Sequence, residues 1–298
     1  MATPPSSSRA RTRAWPGRGQ VVVITGGGGG IGSAFARLVA ARGARVVLVD
    51  LRPEAADAVA ASLPGSGHAV LTGDLTSRGN VEGIMEAISA EYGRIDVLVN
   101  CMGMTSAERF DDRDVDSIDY ELRVNLNAPL MMTRLAIPLL RQSSDARVIT
   151  VVSLGAIFPL GETPIYTASK YGLRGAMLSI ALDLAPKGIR VSSVLPSATD
   201  TRMLRQEALD GGNALQFQDP PQSPETVARC MAGLLDRPRL EAYPKRGESW
   251  LVRAALLSPN LLPRIMPLFR GRGERGQAKY LKELRERGLV TTEGELVE

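Results

Sequence analysis

Short β-branched runs alternate along this chain with longer segments whose apolar residues recur at helical spacing, and that alternation leaves few folds open. The runs are QVVVIT, RVVLVD, HAVL, IDVLVN, RVITVV and RVSSVL, six expected strands in that order. The segments between them predict helices over about 31–42, 77–92, 120–140 and 164–184. Strands that are apolar without interruption must be covered on both faces, which helices crossing between parallel strands achieve. The expected architecture is therefore α/β: a doubly wound parallel sheet, the Rossmann fold, with helices on both faces. Ligands of such sheets bind beyond the carboxyl ends of the strands, so those ends are where chemistry is sought.

At 298 residues and 44% hydrophobic composition, one large core with extensions suffices. A weak seventh run near 240–243 closes the expected domain, giving a basic, disordered segment at 1–19, a Rossmann-type domain at 20–244, and a helical, amphipathic, basic extension at 245–298. The net charge of +4 belongs to the ends, because residues 1–19 hold four arginines and no acid, and residues 239–298 hold twelve basic against eight acidic side chains. An acidic centre in a chain with 4% aromatic residues argues against nucleic acid as a partner. Cys101 and Cys230 are too few for a disulfide framework or a metal knuckle, and a reducing cytoplasm is the expected setting. No stretch supplies the roughly 18 uncharged apolar residues of a membrane span. The single histidine, His68, sits among the small residues of PGSGHAV, a poor place for a hydrolase triad.

The first strand runs straight into TGGGGGIG, placing Gly26, Gly30 and Gly32 at the turn and at the start of the next helix. Without Cβ atoms the backbone can approach a pyrophosphate closely, and the helix N-terminus offers free amides and the positive end of its dipole. Asp50 ends the second strand, where a carboxylate can accept hydrogen bonds from an adenosine ribose. That favours NAD over NADP. Arg52, two positions on, keeps NADP as the alternative.

Tyr166 and Lys170 stand four apart in YTASK and share a helix face. An ammonium beside a phenol favours the phenolate, which suits the tyrosine to exchange a proton with a substrate oxygen. Ser153 ends the fifth run 13 residues earlier, at the same edge of the sheet. Asn125, in VNLNAPLMM, is a polar amide in a mostly apolar helix, expected to bond a water or a backbone carbonyl. No metal is expected: FDDRDVDSIDY lacks the glycine and terminal glutamate of a calcium loop and reads as a solvated segment that starts a helix.

Together these residues resemble the short-chain dehydrogenase/reductase family over about residues 20–240. TGGGGGIG resembles its TGxxxGxG motif, including Ile31; GDLT, with Asp74 and Leu75, its adenine-contacting segment; and NCMG, with Asn100 and Gly103, its NNAG motif. PSATDT, with Pro196, Thr199 and Thr201, stands where the family has PGxxxT. The resemblance implies that Tyr166 is the general acid/base and that Lys170 lowers its pKa and holds the nicotinamide ribose. It further implies that Ser153 orients the substrate carbonyl, that Asn125 holds a water of a proton relay, and that the chain forms a homodimer or homotetramer. Cys101, Met102 and Ser197 depart from the family pattern without removing a reacting group.

The extension offers Trp250, Leu257, Leu261, Leu262, Ile265, Met266 and Phe269 beside arginines. Two readings follow: it packs over the substrate cleft or a neighbouring subunit, or residues 250–270 rest peripherally on a membrane. The layout is similar to that of family members acting on steroids, retinoids or acyl lipids, which implies a small hydrophobic alcohol or ketone, with residues 201–222 as a mobile flap. A catalytically silent dinucleotide-binding regulator and a membrane-surface scaffold are the competing classes. The complete catalytic set argues against both.

Overall fold

The computed structural model describes residues 15–245, 259–291 and 293–297. Seven strands form one parallel sheet: β1 (Val21–Thr25), β2 (Arg45–Asp50), β3 (Ala69–Thr72), β4 (Val97–Asn100), β5 (Arg147–Val151), β6 (Arg190–Val194) and β7 (Glu241–Ala242). Their order, β3-β2-β1-β4-β5-β6-β7, reverses direction of travel between β1 and β4. The expected doubly wound sheet is thus present, with its switch point at the end of the first strand. Period-two alternation divides each strand between two cores. Val21 and Val23 of β1 face one cluster with Leu98, Met132 and Leu173, while Val22 and Ile24 face another with Phe35, Leu48 and Met231. Each such fully buried aliphatic side chain contributes about 1.5–3 kcal/mol, which is why the strands carry no polar face.

The helices on the Phe35 side are α1 (Gly30–Ala40), α2 (Pro53–Ala61) and α8 (Pro224–Asp236). On the other side lie α3 (Arg78–Tyr92), α5 (Ala128–Leu140) and α6 (Pro164–Leu184). The helix expected over 120–140 begins earlier and is not uniform. It consists of α4 (Val115–Leu122), a π turn over Arg123–Asn127 and then α5. Asn125 sits inside the π turn. Such turns inside helices mark functional sites often enough to direct attention there.

Both ends of the chain differ from the expected boundaries. Trp15 is 3% exposed and joins the core beside α8, its backbone N–H donating to Asp236 Oδ1 at 3.1 Å. An indole that large is worth burying, so Trp15 packs with the core although it falls in the segment expected at 1–19. Residues 1–14, and Trp250 and Leu257 of the extension, lie outside the described residues.

The extension's helix, α9 (Leu262–Glu286), is no separate module. It lies against a 3₁₀ turn over Ala214–Phe217 in the expected flap, which also contains α7 (Arg202–Leu209). A Cβ on Gly276 would collide with the Phe217 carbonyl oxygen, so the RGRGERG glycines let helix and turn backbones touch. The Phe217 and Tyr280 rings meet with centroids 5.4 Å apart. Tyr280 Oη then donates to Asp200 Oδ1 at 2.6 Å, Arg205 Nε to the same oxygen at 2.7 Å, and Arg287 Nη1 to Oδ2 at 2.9 Å. Burial disfavours the charge on Asp200, but these donors outweigh it and hold the carboxyl down at about 2.

Gly276→Ala is expected to lower unfolding stability by about 1–3 kcal/mol in chemical denaturation, because neither backbone can yield. Gly175→Ala in α6, where a Cβ meets open space, is the control and is expected to be neutral or stabilising. Equal effects of the two substitutions would contradict the close packing of α9.

Candidate active site

At the carboxyl edge between β1 and β4 the chain opens into a cavity of about 540 Å³. One wall is the glycine turn. Gly29 caps α1 without a side-chain hydrogen bond, and no acid lies in the first turn, so the helix start presents backbone donors and positive dipole to the cavity. A Cβ on Gly32 would collide with the Gly26 carbonyl oxygen, so the turn tolerates no side chain there. Gly26, Gly30, Ile31 and Gly32 all line the cavity. Asp50 stands behind this wall. Its Oδ2 accepts from the Gly28 N–H at 2.9 Å and its Oδ1 from the Arg52 N–H at 3.1 Å, while Arg52 itself lines the cavity.

The opposite wall carries Ser153, Tyr166 and Lys170. Ser153 leaves β5 in extended conformation and caps a 3₁₀ turn over Leu154–Ala156, its Oγ accepting from the Gly155 N–H at 3.0 Å. Pro164 and the two residues after it place Tyr166 in the first turn of α6, with Lys170 one turn on. Ser153 Oγ and Tyr166 Cε1 each lie 3.3 Å from the point a Cβ on Gly155 would occupy, so the two hydroxyl-bearing groups share one corner. Lys170 Nζ is 5.5 Å from the centre of the Tyr166 ring.

Asn125 is wholly buried just behind them. Its Oδ1 accepts from the Met104 N–H at 2.9 Å, and its Nδ2 donates to the Met104 carbonyl at 2.9 Å and to Glu121 Oε1 at 3.3 Å. The expected backbone-carbonyl partner is therefore Met104, and the side chain clamps the loop after β4. Pro196, Thr199 and Thr201 line the cavity after β6, and Gly103 lines it after β4.

Four of the expected cofactor residues fall outside that lining, Asp50 behind the glycine wall among them. Asn100 is 2% exposed inside the sheet, its Nδ2 donating to Thr133 Oγ1 and Thr150 Oγ1 at 3.0 and 3.2 Å. Leu75 is a core residue. Asp74 Oδ1 accepts from the N–H and hydroxyl of Thr76 at 2.9 and 2.8 Å, closing its own turn.

Burial moves the two titrating groups of the helix in opposite directions. It pushes the Tyr166 phenol up to about 12 against the hydrogen bond from Ser153, with Glu207 and Glu121 adding to the rise. It pulls the Lys170 ammonium down to about 8, with Cys101 and Glu121 opposing. In the protein alone desolvation is thus the largest influence on the phenol, and the group that opposes it is Ser153. Cys101 is pushed up to about 12 by the same burial, a neutral thiol at physiological pH.

The roof comes from the expected flap and from the extension. Met266, Phe269 and Arg272 of α9 line the cavity, as do Met203, Leu204 and Glu207 of α7. Of the two readings of the tail, α9 follows the cleft-covering one. Glu207 was legible in principle, since Leu204, Glu207 and Ala208 share one helical face. Burial pushes its carboxyl up to about 7, against a 2.5 Å hydrogen bond from Gln216 Nε2. Among the described residues there is no cluster able to hold a metal ion and no helix long and apolar enough to cross a membrane.

Residues 20–210 match the family model of the short chain dehydrogenases, and the chain belongs to that family. It is 32% identical over 195 residues to an uncharacterized oxidoreductase of Bacillus subtilis strain 168, covering 65% of this chain and 76% of that one. It is 32% identical over 202 residues to a D-threitol dehydrogenase of Mycolicibacterium smegmatis, covering 66% and 77%. A short chain dehydrogenase/reductase from Burkholderia phymatum, solved in complex with NAD, superimposes with a TM-score of 0.75 over 83% of this chain and 96% of that one, at 20% identity. The protein is accordingly an oxidoreductase of this family. The match takes in α7 but ends before α8 and α9, so the part of the roof that α9 contributes lies outside it.

A carboxyl raised on folding favours the folded state below its unfolded value near 4.5, and loses that advantage as pH rises through about 7. Wild-type stability relative to Glu207→Gln is therefore expected to fall between pH 5 and 8 in thermal unfolding. A constant difference across that range would contradict the burial of Glu207.

Proposed function

We propose that the protein is an NAD-linked dehydrogenase/reductase interconverting a secondary alcohol and a ketone on a small, largely apolar substrate. The observation that carries this reading is the shared corner of Ser153, Tyr166 and Lys170 facing an uncapped glycine-rich helix start across one cavity. The residues present suit a dinucleotide: the uncapped start of α1 suits a pyrophosphate and Asp50 a ribose diol, with the segment Pro196–Thr201 along the far wall. Bound there, a nicotinamide supplies or accepts the hydride.

Tyr166 exchanges a proton at the substrate oxygen, and Ser153 donates a hydrogen bond to that same oxygen, fixing it and polarising the carbonyl. Lys170, charged over much of the physiological range, stabilises the phenolate as the proton leaves. Asn125 holds the loop after β4 against this corner, and its place in a π turn suits it to carry a water on the proton path. The burial that raises the phenol in the free protein disfavours idle ionisation of Tyr166.

The apolar preference is supported by Phe158, Leu160, Leu215, Met266 and Phe269 in the lining. A homodimer or homotetramer through α4, α5 and α6 is supported by the exposed Val115 and Leu182. Exposed Leu261 and Leu268, beside Arg264 and Arg270, support a peripheral membrane contact at the start of α9.

Tyr166→Phe is the decisive variant. Screened against secondary alcohols and ketones by NADH absorbance, it is expected to lose about 10²–10⁴-fold in kcat while NADH affinity by fluorescence titration stays within about threefold. Undiminished turnover would overturn the role of Tyr166. Asp50→Ala is expected to weaken NADH about tenfold, or about 1.4 kcal/mol, and NADPH much less. A protein that binds NADPH more tightly than NADH would overturn the preference for NAD.

A further inference from the structure

One buried ion pair stands outside the chemistry just described. Arg113 Nη2 lies 2.7 Å from Glu121 Oε2, with side chains 1% and 0% exposed. The other pairs of the same acidic stretch are in solvent: Arg123 with Asp119 at 57% each, and Arg109 with Asp111 at 73% and 80%. FDDRDVDSIDYEL is therefore not uniformly a solvated face. Two of its charges have been withdrawn from water at a cost of several kcal/mol per ion, which a pair of apolar side chains would have avoided. Arg113 is tied down further, its Nε donating to Ser117 Oγ at 3.3 Å and its Nη2 to the Ser117 carbonyl at 3.2 Å.

The pair points into the site. Glu121 precedes Asn125 by one turn, and its Oε1 accepts from Asn125 Nδ2. A carboxylate oxygen can only accept, so together with the Met104 carbonyl it holds the nitrogen of the carboxamide on its side and leaves Oδ1 for the Met104 N–H. On the far side of Asn125, its Oδ1 and Lys170 Nζ lie 3.3 and 3.4 Å from the point a Cβ on Gly103 would occupy. A buried path thus runs from Arg113 through Glu121 and Asn125 to Lys170.

We propose that Glu121, locked by Arg113, is a positioning residue of the active site: it fixes the orientation of the Asn125 carboxamide and supplies the buried negative charge that keeps Lys170 an ammonium. Its functional meaning rests on the catalytic reading of Lys170 above. The groups facing Lys170 are Cys101 from the loop after β4, Glu121 from α4 and Tyr166 on its own helix. Arg113 lies one step behind from the preceding loop, and Glu207 approaches Tyr166 from α7. Cys101 is a neutral thiol, so Glu121 is the one carboxylate among the named neighbours acting directly on Lys170. Burial works against the charge of Glu121 too, and Arg113 opposes that rise. Removing either partner has the same result: Glu121→Gln deletes the charge, and Arg113→Met leaves a buried carboxyl that takes up a proton.

The test needs no substrate. The chain holds five lysines, so ε-¹³C-lysine NMR of the full-length protein resolves Lys170, assigned by the loss of its signal in Lys170→Arg. In both Glu121→Gln and Arg113→Met its titration midpoint is expected to move to lower pH by about one unit, a tenfold change in the ionisation constant. Asp119→Asn, which removes an exposed charge from the same helix, is expected to leave it in place. Amide exchange reads the orientation: the Met104 N–H stays protected in Glu121→Gln, which keeps an acceptor, and loses protection about tenfold in Glu121→Leu, which does not. If Glu121→Leu fails to fold, the Glu121→Gln titration alone decides. An unmoved midpoint in folded Glu121→Gln overturns the proposal even if the enzyme turns over alcohols. A moved midpoint in a protein that oxidises no alcohol supports the charge coupling and overturns the catalytic reading instead.

Discussion

The pairing of β1 with β2 on one side and β4 on the other governs everything else in this molecule. All three strands are parallel, so each ends at the same edge. The chain leaves β1 toward α1 on one face, whereas the chain after β4 passes toward α4 and α5 on the other. The connections diverge, and the gap between them cannot be filled by the sheet's own side chains. Thr25, the last residue of β1, ties the two lips together by accepting from the Cys101 N–H at 3.2 Å. The glycine turn, the loop clamped by Asn125, and the corner of Ser153 and Tyr166 are all placed by that divergence.

Within the cavity, burial acts as the common currency of the electrostatics. It raises Tyr166 and Cys101, raises Glu207 and lowers Lys170, in each case by disfavouring charge. A site that only neutralised its residues would be inert. Here Ser153 opposes the rise of the phenol, and a carboxylate sits close enough to oppose the fall of the amine. The roof contributes to this dryness: α9 and the 3₁₀ turn over Ala214–Phe217 cover the side of the cavity that faces away from the sheet, and the three donors on Asp200 anchor that roof to the strand end carrying Thr199 and Thr201.

Much of the fold was legible because its signals are local and repeated. Strand runs and amphipathic spacing gave six strands and their sequence order, and the TGGGGGIG turn lay between strand and helix as expected. The pair Tyr166 and Lys170 was legible for the same reason, since its spacing is fixed by one helical turn. What escaped were long-range packings with no local period. Trp15 looked like part of a disordered lead-in until its ring met the face of α8. Arg113 looked like solvated charge because its neighbours in sequence are solvated. The close approach of Gly273 and Gly276 of α9 to the Ala214 and Phe217 carbonyls has no local signal either. Nor could sequence show that the Asn100 Nδ2 donates to Thr133 and Thr150, residues 33 and 50 positions away.

The most direct test of the central claim, that this edge of the sheet seats a dinucleotide with its reacting end at Tyr166, is a crystal structure of the protein with NADH. The account predicts the pyrophosphate against the first turn of α1, a ribose at Asp50, and the nicotinamide beside Tyr166 and Lys170. NADH seated elsewhere, or the nicotinamide turned away from Tyr166 with the cavity open, would contradict it.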